Sequence, residues 1–354
     1  MMQSHIAPSG MAVTPHHLAS ASAQRILRAG GNAIEAMVAA AAAIAVVYPH
    51  MNGLGGDGFW LIVPPQGDPI AIDASGAAGS LATRALYAGE NRIPHRGPTA
   101  ALTVAGTVGG WQEALTYAAE LDISRPLPLA SLLEDAIGYA RHGIPVTQSQ
   151  EDALINRRHE LSDFAEFCRV FMPQGEIPRT GSRFTQPDLA DTLQQLAQDG
   201  LDSFYRGALA ARMTAQMAAL GLPVTADDLA NYRARRTTPL VLKHSKGEVF
   251  NLAPPTQGLV SLAILGITDR LGMEDLSDSQ TMHRHLDAQP VHRFQFGVNL
   301  HRQNGDEHAE EQALGVGELA RQHVFHRQSL AVDHHIDGGG GNRNKTDHRQ
   351  QTGE

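Results

Sequence analysis

The sequence predicts an α+β protein, built from layers of helix and strand with the strands antiparallel. Three observations carry this. Residues 33–47 form a breaker-free, alanine-rich stretch with small apolar residues on every side, which marks a buried helix rather than an amphipathic surface one. Residues 59–63 and 69–74 are short apolar runs separated by Gln66-Gly67-Asp68, which reads as a hairpin. Residues 129–142 carry apolar side chains at 129, 132, 133, 136 and 137 and stop at Gly143, the pattern of an amphipathic helix.

Bulk properties narrow the classes. A length of 354 suggests one large or two ordinary domains, and 42% hydrophobic residues suffice for a sizeable core. A net charge of −9 argues against a nucleic-acid or anionic-membrane partner. Cys168 is the only cysteine, so there is no internal disulfide framework, and Glu166-Phe167-Cys168-Arg169 carries no motif of a nucleophile. The N-terminus lacks a basic-then-apolar secretory pattern, so a cytoplasmic location is expected. Residues 36–48 fall short of the roughly 20 apolar residues that span a membrane, and Glu35 precedes them.

Taken in order, residues 1–12 are a polar lead. Residues 18–29 have helical spacing and end at Gly30-Gly31. Asn32 is placed to cap the alanine-rich helix, and Pro49 ends it. The next stretch, Gly53-Leu54-Gly55-Gly56-Asp57-Gly58, matches G-x-G-x-x-G letter for letter. A dinucleotide site needs a strand before that motif and a helix after it; here the order is reversed, so the nucleotide reading is rejected. What remains is a turn that needs positive φ and close backbone approach. Such a turn can also line a pocket, which makes Gly53, Gly55, Gly56 and Asp57 candidate lining residues.

Beyond the hairpin, Ser80–Glu90 reads as a short helix, 93–98 as a loop holding Arg96, and Ala100–Ala105 as strand-like. A glycine-rich turn, Gly106 to Trp111, opens a helix over 112–121. Residues 144–180 are helix-rich. Thr185 to Asp188 and Thr225 to Asp228 offer N-cap chemistry for the helices that follow. Val249–Leu252 is a strand, and Ala253 to Leu259 turns into a helix running to about residue 271.

Several of these stretches together resemble the γ-glutamyltransferase family, a branch of the N-terminal-nucleophile hydrolases. The resemblance rests on Gly10-Met11, His17-Leu18-Ala19-Ser20, Leu27 to Ala33, Pro49-His50-Met51-Asn52-Gly53 and the glycine turn. It continues through Phe184 to Leu193, Phe204-Tyr205-Arg206-Gly207, Val224 to Ala230 and the Pro254-Pro255 turn, covering roughly residues 10–275. It implies an αββα sandwich, a proenzyme cut into large and small subunits, and no cofactor. It also implies a freed threonine that attacks an amide carbonyl, with its own α-amine as base. The substrate class is a small-molecule amide or γ-glutamyl compound.

One departure bears on specificity. Family members that act on γ-glutamyl compounds end the second strand of the hairpin in an arginine that holds the substrate carboxylate. This sequence has Ala74-Ser75-Gly76 there. Ser75 and Gly76 resemble acylase-like members, so Ser75 either lines the acyl pocket or closes a plain strand-end turn. Arg96 is the nearest basic candidate to stand in for the arginine; otherwise it is an ordinary loop residue.

Residues 1–278 therefore read as a large-subunit region and 279–354 as an atypical tail. Residues 281–354 hold 10 of the 18 histidines, lose apolar periodicity and end polar. Their threonines, Thr281, Thr346 and Thr352, lie in no nucleophile context, so no catalytic residue is assigned and the chain is expected to be inactive without a complementary small-subunit chain. The tail reads as an out-of-frame or mispredicted gene end, as a divergent tail, or as a metal-binding segment through His283, His285, His334 and His335. The spacing of those histidines repeats no known metal site. A sheet left without partner strands predicts poor solubility or dependence on a second chain. The rival function is a non-catalytic scaffold or binding protein.

Overall fold

The structure, a computed structural model, describes residue 7 and residues 10–270. The predicted tail, 279–354, and the candidate histidines and threonines within it lie outside the described residues.

The chain opens with two helices, α1 (His17–Arg28) and α2 (Ala33–Val47). The Asn32 side chain accepts from the Glu35 N–H at 2.9 Å, and the Glu35 carboxylate accepts from the Asn32 N–H at 2.8 Å, a reciprocal cap. Glu35 is buried, and its other oxygen accepts from the Leu127 N–H at 2.7 Å, so a charge that burial would penalise is used at both ends. The small residues of α2 do what their sequence predicts: eleven of its fifteen positions are buried. Other helices can approach it on several sides because no large side chain keeps them away.

After α2 come the glycine turn and the hairpin of β1 (Gly58–Ile62) and β2 (Ile70–Ala74), in register from Gly58↔Ala74 to Ile62↔Ile70. The helices α3 (Thr107–Leu121) and α4 (Leu129–His142) follow. A short pair, β3 (Ile144–Pro145) with β4 (Arg183–Phe184), brackets α5 (Gln148–Leu161) and α6 (Ala165–Phe171). The helices α7 (Pro187–Asp199), α8 (Ser203–Arg206), α9 (Ala208–Leu220) and α10 (Ala226–Asn231) then lead to β5 (Arg235–Thr237). The described residues close with the hairpin of β6 (Leu240–His244) and β7 (Gly247–Asn251) and with α11 (Gly258–Arg270).

Two packing regions result. α1, α2, α4 and α7 share a helical core that includes Ile26, Val38, Val46, Leu132, Leu133, Leu193 and Leu196, all buried. The three-stranded sheet, in the order β1–β2–β5, is covered on one face by Ala114 and Ala118 of α3 and Ile34 of α2, which meet Ile72 of β2, with Trp60 and Ile62 packed against them. Its other face carries Phe59, Leu61, Asp73 and Arg235; Phe59 and Leu61 are about 40% exposed there.

Several sequence expectations are corrected. Ser80–Glu90 is a run of turns, not a helix, because Leu81 and Leu86 stay exposed and a short helix needs buried packing to persist. Ala100–Ala105 is not a strand: Pro98–Ala100 is a single 3₁₀ turn, and beyond it Thr103 forms one isolated bridge to Ala78. α3 begins at Thr107, five residues earlier than expected, because the glycines that suggested a turn are its first turn. Thr185 caps nothing; Gln186 occupies the N-cap position of α7, and its side chain donates instead to the Val46 carbonyl at 2.9 Å. The Thr225–Asp228 cap forms as expected. β3, β4, β5 and β6 were not expected, since none carries an alternating apolar pattern long enough to read.

Candidate functional site

The glycine turn, the end of β2 and the start of α3 meet at one end of the sheet. The Gly56 carbonyl binds them, accepting from the N–H groups of Gly106 (2.9 Å) and Thr107 (3.0 Å) and from the Thr107 hydroxyl (2.9 Å). The Asp57 carboxylate accepts from the Gly76 N–H at 3.1 Å, so the turn also holds the segment after β2.

None of Gly53, Gly55, Gly56 or Gly58 takes a positive φ, which corrects the conformational reason expected for them. Gly55 and Gly56 have open space where a side chain would begin. Close approach operates elsewhere. A Cβ on Gly76 would lie 1.7 Å from the Val104 carbonyl oxygen, and one on Gly106 would lie 1.8 Å from the Ala74 carbonyl oxygen. At this junction the tight glycines are thus those where three backbone segments cross, while Gly53, Gly55 and Gly56 of the turn are exposed.

Ser75 sits at the centre of this junction. Its N–H and its hydroxyl both donate to one oxygen of Asp73, at 2.9 and 2.6 Å. The other Asp73 oxygen accepts from the Arg235 guanidinium at 3.1 Å. Burial would raise the Asp73 pKa, but the bonds from Ser75 and Arg235 outweigh it and hold the carboxyl below its ordinary range. The Ser75 carbonyl accepts from the Tyr232 hydroxyl at 3.2 Å. Burial, then the nearby charges of Asp73 and Asp57, push the Tyr232 phenol up to about 12, so it stays a neutral donor. Behind it, the Tyr205 hydroxyl accepts from the Gly109 N–H and donates to the Ala105 carbonyl, both at 2.8 Å, which fixes the first turn of α3.

The structure brings Ser75, Gly76, Gly56 and Asp57 into one network. Arg96 lies elsewhere, paired with Glu160 of α5 at 3.0 Å. The residues that sequence reasoning missed are Asp73, Tyr232 and Arg235. The last two reach the site only because β5 pairs with β2 in the register Asp73↔Arg235, across 162 positions of chain. An exposed three-residue strand carries no periodic signal that could have announced this. Among the described residues no cluster of three or more His, Cys, Asp or Glu side chains could hold a metal ion, and no helix is long and apolar enough to cross a membrane.

Comparison with known proteins gives a consistent set. A profile described as gamma-glutamyltranspeptidase matches residues 19–324. The chain is 66% identical over 288 residues to an oxamate amidohydrolase proenzyme of Klebsiella pneumoniae, covering 81% of this chain and 54% of that protein. It is 35% identical over 287 residues to a glutathione hydrolase-like proenzyme of Bacillus subtilis, again covering 81% and 54%. The chain thus spans about half the length of the curated relatives it matches. Among solved structures, the Helicobacter pylori gamma-glutamyltranspeptidase superposes with a TM-score of 0.72 at 29% identity, over 81% of this chain and 82% of that one. The Pseudomonas nitroreducens enzyme, complexed with L-DON, gives 0.69 at 30%, over 78% and 82%.

Proposed function

The chain belongs to the gamma-glutamyltranspeptidase family, with the α+β fold of N-terminal-nucleophile hydrolases, and from that premise we propose that it supplies the large-subunit part of an amidohydrolase for small anionic amides. The observation that carries the reading is the 66% identity to an oxamate amidohydrolase proenzyme. The Ala74-Ser75-Gly76 strand end, where γ-glutamyl specificity would call for an arginine, points the same way. Ser75 and Gly76 then border the acyl site, and the turn with Gly53, Gly55, Gly56 and Asp57 forms its outer wall. Arg96, tied to Glu160, contributes to loop packing.

The reaction proposed is acyl transfer to water. A threonine hydroxyl attacks the amide carbonyl carbon, its proton passing to the threonine α-amine. The carbon–nitrogen bond breaks, the nitrogen takes the proton and leaves as ammonia, and an ester remains on the enzyme. Water then attacks the ester, releasing the acid and restoring the hydroxyl. With oxamate the products are oxalate and ammonia. The open face of the sheet, with Phe59 and Leu61 exposed, is where a second sheet of an αββα sandwich would pack.

The rival reading is a chain that binds amides without turnover. It corresponds to the expectation from sequence that none of Thr281, Thr346 and Thr352 is a nucleophile. Incubating the full chain with oxamate, γ-glutamyl anilide and glutaryl anilide, beside a heat-killed control, separates the two. Ammonia from oxamate supports the hydrolase. Release from γ-glutamyl anilide alone transfers the reading to glutathione hydrolysis. Background rates with all three that persist when a small-subunit chain of the family is added support the binding chain. The division proposed near residue 278 has its own check, resequencing codons 270–290. A strand-rich alternative frame with a threonine after small residues assigns the 279–354 sequence to a frame error; confirmation of the frame leaves a divergent tail or a metal-binding segment.

A further inference from the structure

Adjacent residues of a strand point to opposite faces of a sheet, and β5 shows what that does to two neighbouring arginines. Arg236 turns to the covered face. Its guanidinium binds Glu113 and Glu120 of α3, the latter at 2.8 Å, and lies 5.1 Å from the Tyr117 ring centre. Arg235 turns to the open face beside Asp73. Its side chain is 75% exposed, and among the described residues its one partner is Asp73, held through a single nitrogen at 3.1 Å.

A guanidinium carries five N–H donors in a planar fork, and Asp73 takes one of them. Asp73 is itself immobilised, because its other oxygen receives both the N–H and the hydroxyl of Ser75. The carboxylate therefore aims Arg235 without using it up, and leaves donors free for a second, two-pronged carboxylate. Charge makes that donor indispensable for an anion. Asp57 and Asp73 both border the Ser75 segment, so without Arg235 the junction carries two negative side chains and repels an anionic amide.

We propose that Arg235 is the specificity residue that receives the carboxylate of an anionic amide, held in place by the Asp73–Ser75 pair. In oxamate the carboxylate carbon and the amide carbon are directly bonded, about 1.5 Å apart. A carboxylate seated on Arg235 therefore brings the amide carbonyl to the Ser75–Gly76 segment. The inference rests on the amidohydrolase reading for its ligand class, but it concerns recognition and is tested by binding.

The test compares the full chain with Arg235→Gln and Arg235→Lys, using oxamate and its neutral isostere oxamide. Affinity for each is read by calorimetry, and ammonia release gives KM where turnover occurs. So exposed an ion pair adds little to stability, so both variants fold. The expected result is that Arg235→Gln weakens oxamate binding about 10- to 100-fold, the usual worth of a hydrogen-bonded charge. Oxamide is unaffected, and Arg235→Lys recovers part of the loss. Equal weakening of both ligands assigns Arg235 a merely structural role and overturns the proposal. So does an unchanged oxamate affinity, or a wild-type chain with no preference for oxamate over oxamide. Absence of turnover with intact oxamate preference leaves the role of Arg235 standing, because recognition by the large-subunit part does not require the nucleophile.

Discussion

The helical region and the sheet region are built on opposite terms. α1, α2, α4 and α7 enclose one another, and the residues between them lose essentially all contact with water. Among the described residues the sheet is enclosed on one side, by α3 with Ile34 of α2, and presents Phe59, Leu61, Asp73 and Arg235 on the other. The first arrangement holds itself together. The second is held by backbone crossings at its glycine end, and its open face is left for chemistry or for another layer. Stability and function are thus assigned to different parts of the same fold, and substitutions should divide along that line.

The largest effect is expected inside the helical core. Leu133→Ala removes a fully buried side chain and should cost about 2–5 kcal/mol in denaturant unfolding. Phe59→Ser on the open face should change stability by no more than about 0.5 kcal/mol, as surface substitutions do, and raise solubility. Comparable losses for the two would break the comparison. Next in size is the glycine end. Gly76→Ala drives a Cβ into the Val104 carbonyl and should cost about 1–3 kcal/mol, with loss of any activity at Ser75. Gly55→Ala meets open space and should be silent, within about 0.5 kcal/mol. A costly Gly55→Ala would mean that the turn itself, not the crossing behind it, is the tight element.

Asn32→Ala removes one half of the cap on α2 and should lower the melting temperature by the equivalent of about 1 kcal/mol. The smallest effect is in pH dependence. The folded Asp73 pKa lies below its ordinary value of 3.8, so its stabilisation is complete above that value and is lost as pH falls through the folded pKa. Asp73→Asn should therefore be less stable than the parent at pH 5–7, with the gap closing at lower pH. A gap that widens on acidification would show that Ser75 and Arg235 do not govern this carboxyl.

The same division governs what could be read from sequence. α2 and α4 were legible nearly to their ends, because Asn32, Gly143 and the apolar positions of residues 129–142 act locally, whereas the start of α3 and the false helix at 80–90 were misread. The β1–β2 hairpin was legible for the same reason. Ser75, Gly76 and the glycine turn were singled out through local motifs, and the structure joins them in one network, although the turn's glycines lack the positive φ expected of them. Positive φ is a property of one residue; the contact of Gly76 with Val104 depends on where another segment passes. Tyr232 and Arg235 were not read as site residues because their partners are distant in sequence, and Asp73 gains its role only once Arg235 is beside it. Arg96 drew attention by nearness in sequence, and the structure pairs it with Glu160.

The pairing of β2 with β5 also sets a timetable. α1 and α2 are neighbours in sequence and can close as soon as both have been made. Asp73 must wait for Arg235, 162 positions later, which at ordinary rates of synthesis is on the order of 10 s. Through that interval the hairpin has two unpaired edges and no third strand, a form prone to join its like. The newborn chain is therefore vulnerable at the very strand that carries Asp73, and agents that shield exposed strand edges should improve its yield more than agents that stabilise the finished fold.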